Sequence, residues 1–285
     1  MVQCQYSGAS SHGAPETLFL LTYFTQRAPK HLYNREEILF FARQREPHTP
    51  TILVTFRISK QNSIHMSTLE IQHTDDGSAT LFVPELDEHY HSVKGAYTEA
   101  LHIYRDCAYQ YAAARVAVRP LRLLEVGFGT GLNAAVTAMA ATAERPVHYV
   151  TLEKYPVASC LVESLGYETL VDASLFAAIH AAPWEQPTAI TPYFTLEKRC
   201  CDLLTASLPS DSDVVYFDAF APEKQPEMWS PEVFARIYQC MRPGGVLTTY
   251  CAKGAIRRLL QSTGFTVERL AGPVGGKREI LRAVR

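Results

Sequence analysis

Leu124-Glu125-Val126-Gly127-Phe128-Gly129-Thr130-Gly131-Leu132-Asn133 is the stretch that decides the fold. It closes the short apolar run Leu121–Val126 and opens the Ala-rich segment Leu132–Ala143. That is the strand, glycine loop and helix context of a nucleotide-type loop. Glycines at alternate positions let the backbone turn sharply and approach a ligand with no Cβ in the way. The spacing G-x-G-x-G differs from the dinucleotide pattern G-x-G-x-x-G. No Lys-Ser/Thr pair follows, so the loop is not a phosphate-gripping P-loop.

Working outward, strand and helix signals alternate. Val147–Leu152 reads as a strand ending in Glu153, Val157–Leu165 as a helix, and the Pro-rich stretch Ala181–Pro192 as a loop. Phe194–Leu196 and Val214–Phe217 read as strands, followed by Asp202 and Asp218. Pro231–Met241 reads as a helix stopped by Pro243-Gly244-Gly245. Val246–Tyr250, a helix over Ala255–Gln261, and strands Phe265–Leu270 and Glu279–Ala283 complete the series. Repeated strand–helix units predict an α/β fold with a mostly parallel, doubly wound sheet over residues 119–285. Upstream, Thr68–Gln72 alternates, Asp75-Asp76-Gly77-Ser78 supplies a turn, and Thr80–Val83 returns. With a helical stretch from Gly95 to Ala114, this predicts a hairpin and helix appendage over residues 66–118. Residues 1–65 show no sustained period and read as an N-terminal extension, flexible or a start-site artefact ahead of Met66.

The chain has 285 residues, 47% hydrophobic and 20% charged, which allows a sizeable core and excludes wholesale disorder. No apolar run approaches the roughly 18 residues that span a bilayer. Seven cysteines without a C-x-x-C pattern give neither a disulfide framework nor a metal site. These features predict a cytoplasmic protein with reduced thiols. The net charge of −2 hides an uneven distribution. Residues 251–285 carry eight basic and two acidic residues, a segment that could meet a polyanion or simply be solvated.

The tight loop preceded by Glu125 suits the methionine part of S-adenosylmethionine, whose ammonium needs acceptors. Glu153, at the carboxyl end of the next strand, stands where an acid accepts from ribose hydroxyls. Asp202 could accept from the adenine amino group. The most informative segment is Asp218-Ala-Phe220-Ala-Pro222-Glu-Lys224-Gln-Pro226-Glu-Met-Trp229. Asp218 ends a strand at the edge where ligands bind such sheets. Prolines and aromatics after it make a stiff, partly apolar rim. An acceptor followed by backbone carbonyls and an aromatic ring is the arrangement of enzymes that methylate amino nitrogens.

Five stretches in order carry a more specific resemblance: Tyr90–Glu99, Leu124–Asn133, Asp218–Trp229, Arg242–Tyr250 and Gly275–Glu279. From Met66 to Arg285 the chain resembles the methyltransferase half of the bifunctional enzymes that complete 5-methylaminomethyl-2-thiouridine at the tRNA wobble position, and the stand-alone members of that group. The resemblance implies a Rossmann-like class I methyltransferase fold with S-adenosyl-L-methionine as donor. It implies an aminomethyl-thiouridine in the tRNA anticodon stem-loop as acceptor, and Asp218 as the main active-site acid. On the donor side it marks Glu125, Gly127, Phe128, Gly129, Gly131, Asn133, Glu153 and Asp202. On the acceptor and tRNA side it marks Glu99, Phe220, Pro222, Lys277 and Arg278. Residues 1–65 match nothing in the family, and Cys201 stands where relatives usually carry glycine. The flavin-dependent oxidase half is not in this sequence, so methylation alone is expected.

A primary amine attacks the sulfonium methyl through a free lone pair, yet alkylamines have a pKa near ~10.4. An aspartate near its ordinary ~3.9 is a poor base for it, so Asp218 is expected first to accept from the amine and aim it. Two other readings compete: an aminopropyltransferase of the polyamine-synthase type, and a non-catalytic tRNA-binding relative.

Overall fold

The computed structural model describes residues 68–285 continuously and, within residues 1–67, six short strands. These are β1 (Gln5–Ser7), β2 (Phe19–Tyr23), β3 (Ile38–Ala42), β4 (Leu53–Thr55), β5 (Ile58–Lys60) and β6 (Ser63–His65). The expectation of a dispensable extension over residues 1–65 otherwise lies outside the described residues. The chain forms two compact units, residues 1–73 with 80–90, and residues 74–79 with 91–285.

In the first unit, β7 (Thr68–His73), β8 (Ala79–Val83) and β9 (Glu88–His89) continue from β4 in a four-stranded sheet ordered β4-β7-β8-β9. Strands β7 and β8 flank the anticipated Asp-Asp-Gly-Ser turn.

That turn, in the second unit, grips the start of the following helix. The Asp76 carboxylate accepts from the Ser78 amide at 3.0 Å, the Thr98 amide at 2.9 Å and the Thr98 hydroxyl at 2.8 Å. A Cβ on Gly95 would run into this carboxylate, which explains a glycine there. The Ser78 and Thr98 bonds hold Asp76 well below the usual carboxylate range despite its partial burial. The helix that follows is not uniformly α. It begins as α1 (Ala96–Glu99), widens into a π-helical segment Ala100–Gln110, and ends as α2 (Tyr111–Ala113). Residues that are apolar at α spacing also line one face of a wider helix, so the sequence pattern does not distinguish the two.

The main sheet has eight strands: β10 (Leu121–Val126), β11 (Val147–Glu153), β12 (Thr188–Thr191), β13 (Phe194–Cys200), β14 (Ser212–Phe217), β15 (Met241–Thr249), β16 (Thr266–Ala271) and β17 (Glu279–Val284). Their order is β12-β13-β11-β10-β14-β15-β17-β16. The pairs from β13 through β15 are parallel, while β12 and β17 pair antiparallel with their neighbours. This is the mostly parallel sheet anticipated, with one correction. Ala181–Pro192 is not all loop, because Thr188–Thr191 is an edge strand. Prolines 187 and 192 bracket it, and an edge position tolerates them because half its backbone groups need no strand partner.

Helices α3 (Leu132–Ala140), α4 (Ser159–Glu163), α5 (Ala173–Ala181), α6 (Pro231–Cys240) and α7 (Gly254–Thr263) connect the strands. Local chemistry fixes their ends. Ser230 caps α6 by accepting from the Val233 amide at 3.3 Å, with Pro231 at the first helical position. Asp172 caps α5 through the Leu175 amide at 2.8 Å, and Gly264 at φ 113° ends α7. On one sheet face Leu124, Val126, Val215 and Phe217 form a core with Phe234, Ile237 and Leu260. The π-helical segment and α3 pack together, burying Ile103, Tyr104, Ala134 and Ala135.

The chain runs from β10 outward through β11 to β13, then returns to add β14 and β15 on the other side of β10. The direction of winding therefore reverses between β10 and β14. In open α/β sheets the ligand crevice lies outside the carboxyl ends of the strands at that point. Here it falls between the glycine loop and Asp218.

Candidate active site

The glycine loop leaves β10 in a left-handed path. Gly127, Gly129 and Gly131 have φ of 90°, 51° and 76°. A Cβ on Gly127 would collide with the Asp218 backbone carbonyl, and one on Gly131 would sit 2.8 Å from His180 Nε2. The loop is held from β11, because Glu153 Oε2 accepts from the Gly129 amide at 3.0 Å. Glu153 Oε1 accepts from the Tyr155 amide at 2.8 Å. Each oxygen keeps a second lone pair for a ligand hydroxyl. Behind the loop, buried Phe128 meets the rings of His180 and Trp184 at 5.7 Å and 5.9 Å between centroids. Lys198, 2% exposed, lies beneath and donates to the carbonyls of Ile179 and His180 at the end of α5. Burial brings its pKa down to about 8. None of this support was read from the sequence. Its available signal was that Lys198 shares the inward face of β13 with Phe194 and Leu196.

Glu125 is fully buried on β10, with Tyr149 and Thr151 beside it. Neither carboxyl oxygen reaches hydrogen-bond geometry with a protein donor. Burial pushes this group up to about 8, so a nearby ammonium would favour its ionised form. The left-handed glycine loop, the acid at the end of β11 and the buried Glu125 fit a donor that is cationic at one end and carries ribose. Asp202 fits less directly. Its Oδ2 pairs with Lys154 Nζ at 2.8 Å and its Oδ1 accepts from the Leu204 amide at 2.9 Å. The Lys154 bond lowers its pKa.

Among the residues expected on the acceptor side, Asp218 Oδ2 accepts from Asn133 Nδ2 at 2.8 Å, which joins the end of β14 to the start of α3. Burial, and then the Glu99 charge, push Asp218 up to about 7. The segment after it is pinned. Tyr250 donates to the Ala219 carbonyl at 2.8 Å, and Trp229 Nε1 donates to the Phe220 carbonyl at 2.8 Å. Trp229 also packs against Phe217 at 4.9 Å. Phe220 and Pro222 are half-buried on the rim. Glu99 is 3% exposed, and its Oε2 lies 3.3 Å from Lys277 Nζ. Lys277 also stands 3.8 Å from the centre of the Tyr250 ring. The structure thus brings Glu99, Asn133, Asp218 and Lys277 together and separates Lys277 from its exposed neighbour Arg278. Tyr250 and Tyr104 belong to this neighbourhood and were not singled out as site residues. Tyr250 was visible only as the last residue of a matching stretch.

A family model described as S-adenosyl-L-methionine-dependent methyltransferase matches residues 182–285. The tRNA 5-methylaminomethyl-2-thiouridine biosynthesis bifunctional protein MnmC of Cupriavidus necator is 30% identical over 211 residues, 69% of this chain and 31% of the relative. MnmC of Pseudomonas entomophila is 31% identical over 238 residues, 77% of this chain and 36% of the relative. The chain thus spans about a third of the length of the curated relatives it matches. Among solved structures, MnmC2 of Aquifex aeolicus is 26% identical with a TM-score of 0.59, covering 76% of this chain and 70% of that one. Spermidine synthase of Thermotoga maritima, at 10% identity and a TM-score of 0.51, shares the fold. The glycine loop at the sheet's switch point, Asp218 beside it and these matches agree: the chain has the fold of S-adenosyl-L-methionine-dependent methyltransferases and is a relative of the methyltransferase half of MnmC.

Proposed function

We propose that this protein N-methylates the aminomethyl group of 5-aminomethyl-2-thiouridine, or its 2-oxo counterpart, at the wobble position of tRNA. The observation that carries the reading is the Asn133–Asp218 bond of 2.8 Å. It fixes an acid suited to an amine directly against the loop that fits the donor. The nucleoside is the one that the MnmC relatives are named for.

Bound S-adenosylmethionine supplies an electrophilic methyl on a sulfonium centre. The residues of the chain handle the amine. Asp218 accepts a hydrogen bond from the amine and points its lone pair toward the loop, and Asn133 keeps that carboxyl from rotating. As the new N–C bond forms and the S–C bond breaks, positive charge develops on nitrogen, and the Asp218 carboxylate faces it. A pKa lifted to about 7 makes Asp218 a better proton acceptor than the ordinary value allows. The expectation that it first accepts from the amine and aims it is thereby widened. The product ammonium can hand its proton to Asp218, which releases it to water. The rim of Ala219 to Pro222 excludes solvent on one side. The target base must leave its stack to reach such a crevice, and a single-stranded anticodon loop makes that inexpensive.

The test is methyl transfer from labelled donor to tRNA carrying 5-aminomethyl-2-thiouridine, read by nucleoside mass spectrometry. Formation of the methylaminomethyl nucleoside is expected. Transfer of an aminopropyl group from decarboxylated donor to putrescine, with no product on tRNA, would overturn the reading.

A further inference from the structure

We propose that Lys277 is a positioning residue of the acceptor subsite: its ammonium is the built-in counter-ion of Glu99, so the site takes the acceptor amine in its neutral form. This rests on the amine-methylation reading above. Glu99 is buried, with Oε1 accepting from the Ser92 amide at 3.3 Å and Oε2 facing Lys277 Nζ at 3.3 Å. Glu99 and Asp218 are close enough that the charge on Glu99 raises Asp218. Two carboxylates sharing a site without an internal cation favour the charged form of any amine between them. An alkylammonium has no lone pair and cannot be methylated. Lys277 removes that trap by occupying Glu99 itself.

The placement of Lys277 is structural rather than accidental. It closes the turn between β16 and β17, where the Gly272 amide donates to the Arg278 carbonyl at 3.0 Å. A Cβ on Gly272 would overlap the Lys277 carbonyl, so the strands approach too closely there for any other residue. His102 Nε2 lies 2.8 Å from the Ala271 carbonyl and ties the turn to the π-helical segment. The Tyr250 ring face then receives the ammonium from β15's side at 3.8 Å.

Other titratable groups facing this pair carry little charge near neutrality. His91, whose electrostatic neighbours are Glu99, Asp76 and Lys277, is brought down by burial to about 4 and stays neutral. Glu125 is pushed up to about 8, and burial raises Tyr104 and the Cys251 thiol. Glu99, Lys277 and part of the Asp218 population therefore set the charge that the amine meets.

The experiment measures kcat against pH at saturating donor and saturating tRNA carrying 5-aminomethyl-2-thiouridine. It compares the parent with K277M, K277R and the double variant E99Q/K277M. K277M is expected to move the ascending limb alkaline by about one pH unit. It should run about tenfold slower at pH 7 and recover above about pH 9. K277R should keep the parent limb, and E99Q/K277M should move back toward it. Calorimetry of donor binding confirms that each variant is folded. An unmoved limb in K277M, or a defect seen only as a salt-dependent rise in KM for tRNA, would overturn the proposal and make Lys277 a phosphate contact. A double variant whose limb stays displaced would equally reject Glu99 as the trap. Turnover by the parent with an unmoved K277M limb rejects only this role. No turnover by the parent rejects the substrate reading, and this inference with it.

Discussion

Asn133 Nδ2 donates to Asp218 Oδ2 at 2.8 Å across the point where the sheet reverses its winding. Asn133 opens α3 directly behind the glycine loop, so a change in the loop is transmitted to the acid. Asn133→Ala should lower kcat about tenfold or more, the scale of one hydrogen bond to a charged group, with little change in donor affinity. Asp218→Ala should leave donor binding largely intact and lower kcat on the order of 10²-fold or more. Single-turnover kinetics with calorimetry of the donor separates the two effects. A D218A variant that turns over near the parent rate would make the acid structural.

Gly127 lies against the Asp218 carbonyl so closely that a methyl group cannot fit, and its φ of 90° disfavours any side chain. Gly127→Ala should therefore displace the loop and the acid together, weakening donor binding and methyl transfer in one step. Gly129→Val should affect donor binding most, because Gly129 at φ 51° presents its amide to Glu153. Unchanged donor affinity in a folded Gly129→Val variant would show that this loop does not hold the donor.

Glu125 supplies a prediction on stability. Burial raises it from 4.5 to about 8 in the folded state. Between those values the folded chain binds a proton that the unfolded chain has released. Stability linked to Glu125 is thus fully present below about 4.5 and lost as pH rises through about 8. A folded-state pKa one higher than the unfolded value corresponds to about 1.4 kcal/mol. Glu125→Gln removes the titration, so its urea midpoint should pull ahead of the parent as pH rises from about 5 to about 9. Parallel midpoints across that range would show that Glu125 does not carry this burden. Saturating donor should narrow the gap if its ammonium meets the Glu125 carboxylate.

The alternation of strand and helix, the glycine loop and the acids at strand ends were legible because each has a local signature. An apolar run followed by Gly-x-Gly needs no long-range partner to be recognised. Thr188–Thr191 was not legible, because four residues between prolines give no period. The π-helical widening of Ala100–Gln110 was hidden for a different reason: hydrophobic spacing fixes a face, not the pitch. The Lys277–Glu99 pair joins residues far apart in the sequence; charge alone left the segment of Lys277 either solvated or facing a polyanion, and only the resemblance marked Lys277 for tRNA. Nor does charge counting reveal that Lys198 lies buried under Phe128.

Residues 1–65 are proposed to be dispensable for methyl transfer, because the recognisable pattern begins at Met66. A chain starting there would lose β4, which pairs with β7 through Leu53–Glu70, Val54–Leu69 and Thr55–Thr68. An uncovered strand edge invites self-association. The truncated chain should methylate at near the parent kcat and show a greater tendency to oligomerise in light scattering. Loss of donor binding would show that the segment is integral to the fold.

Arg278 is the residue of the Lys277–Arg278 pair that we propose meets tRNA. Its side chain is exposed at the turn between β16 and β17, next to Val274, which is 95% exposed. A guanidinium there can grip a phosphate of the anticodon stem and hold register while the base enters the crevice. Arg278→Ala should raise the Kd for tRNA and reduce the slope of log K against log salt by about one. It should leave kcat and donor binding near the parent values, because Arg278 does not touch Asp218 or Glu99. The contrast with Lys277 is the critical measurement. If both act on phosphate, K277M and R278A will each flatten the salt slope and neither will move the pH limb. If the geometry governs, R278A alone changes the salt slope and K277M alone changes the pH limb. Equal tRNA affinity across a salt series in parent and R278A would remove this turn from the interface. The search would then move to Lys94, whose ammonium pairs with Asp75 at 2.8 Å on an exposed surface.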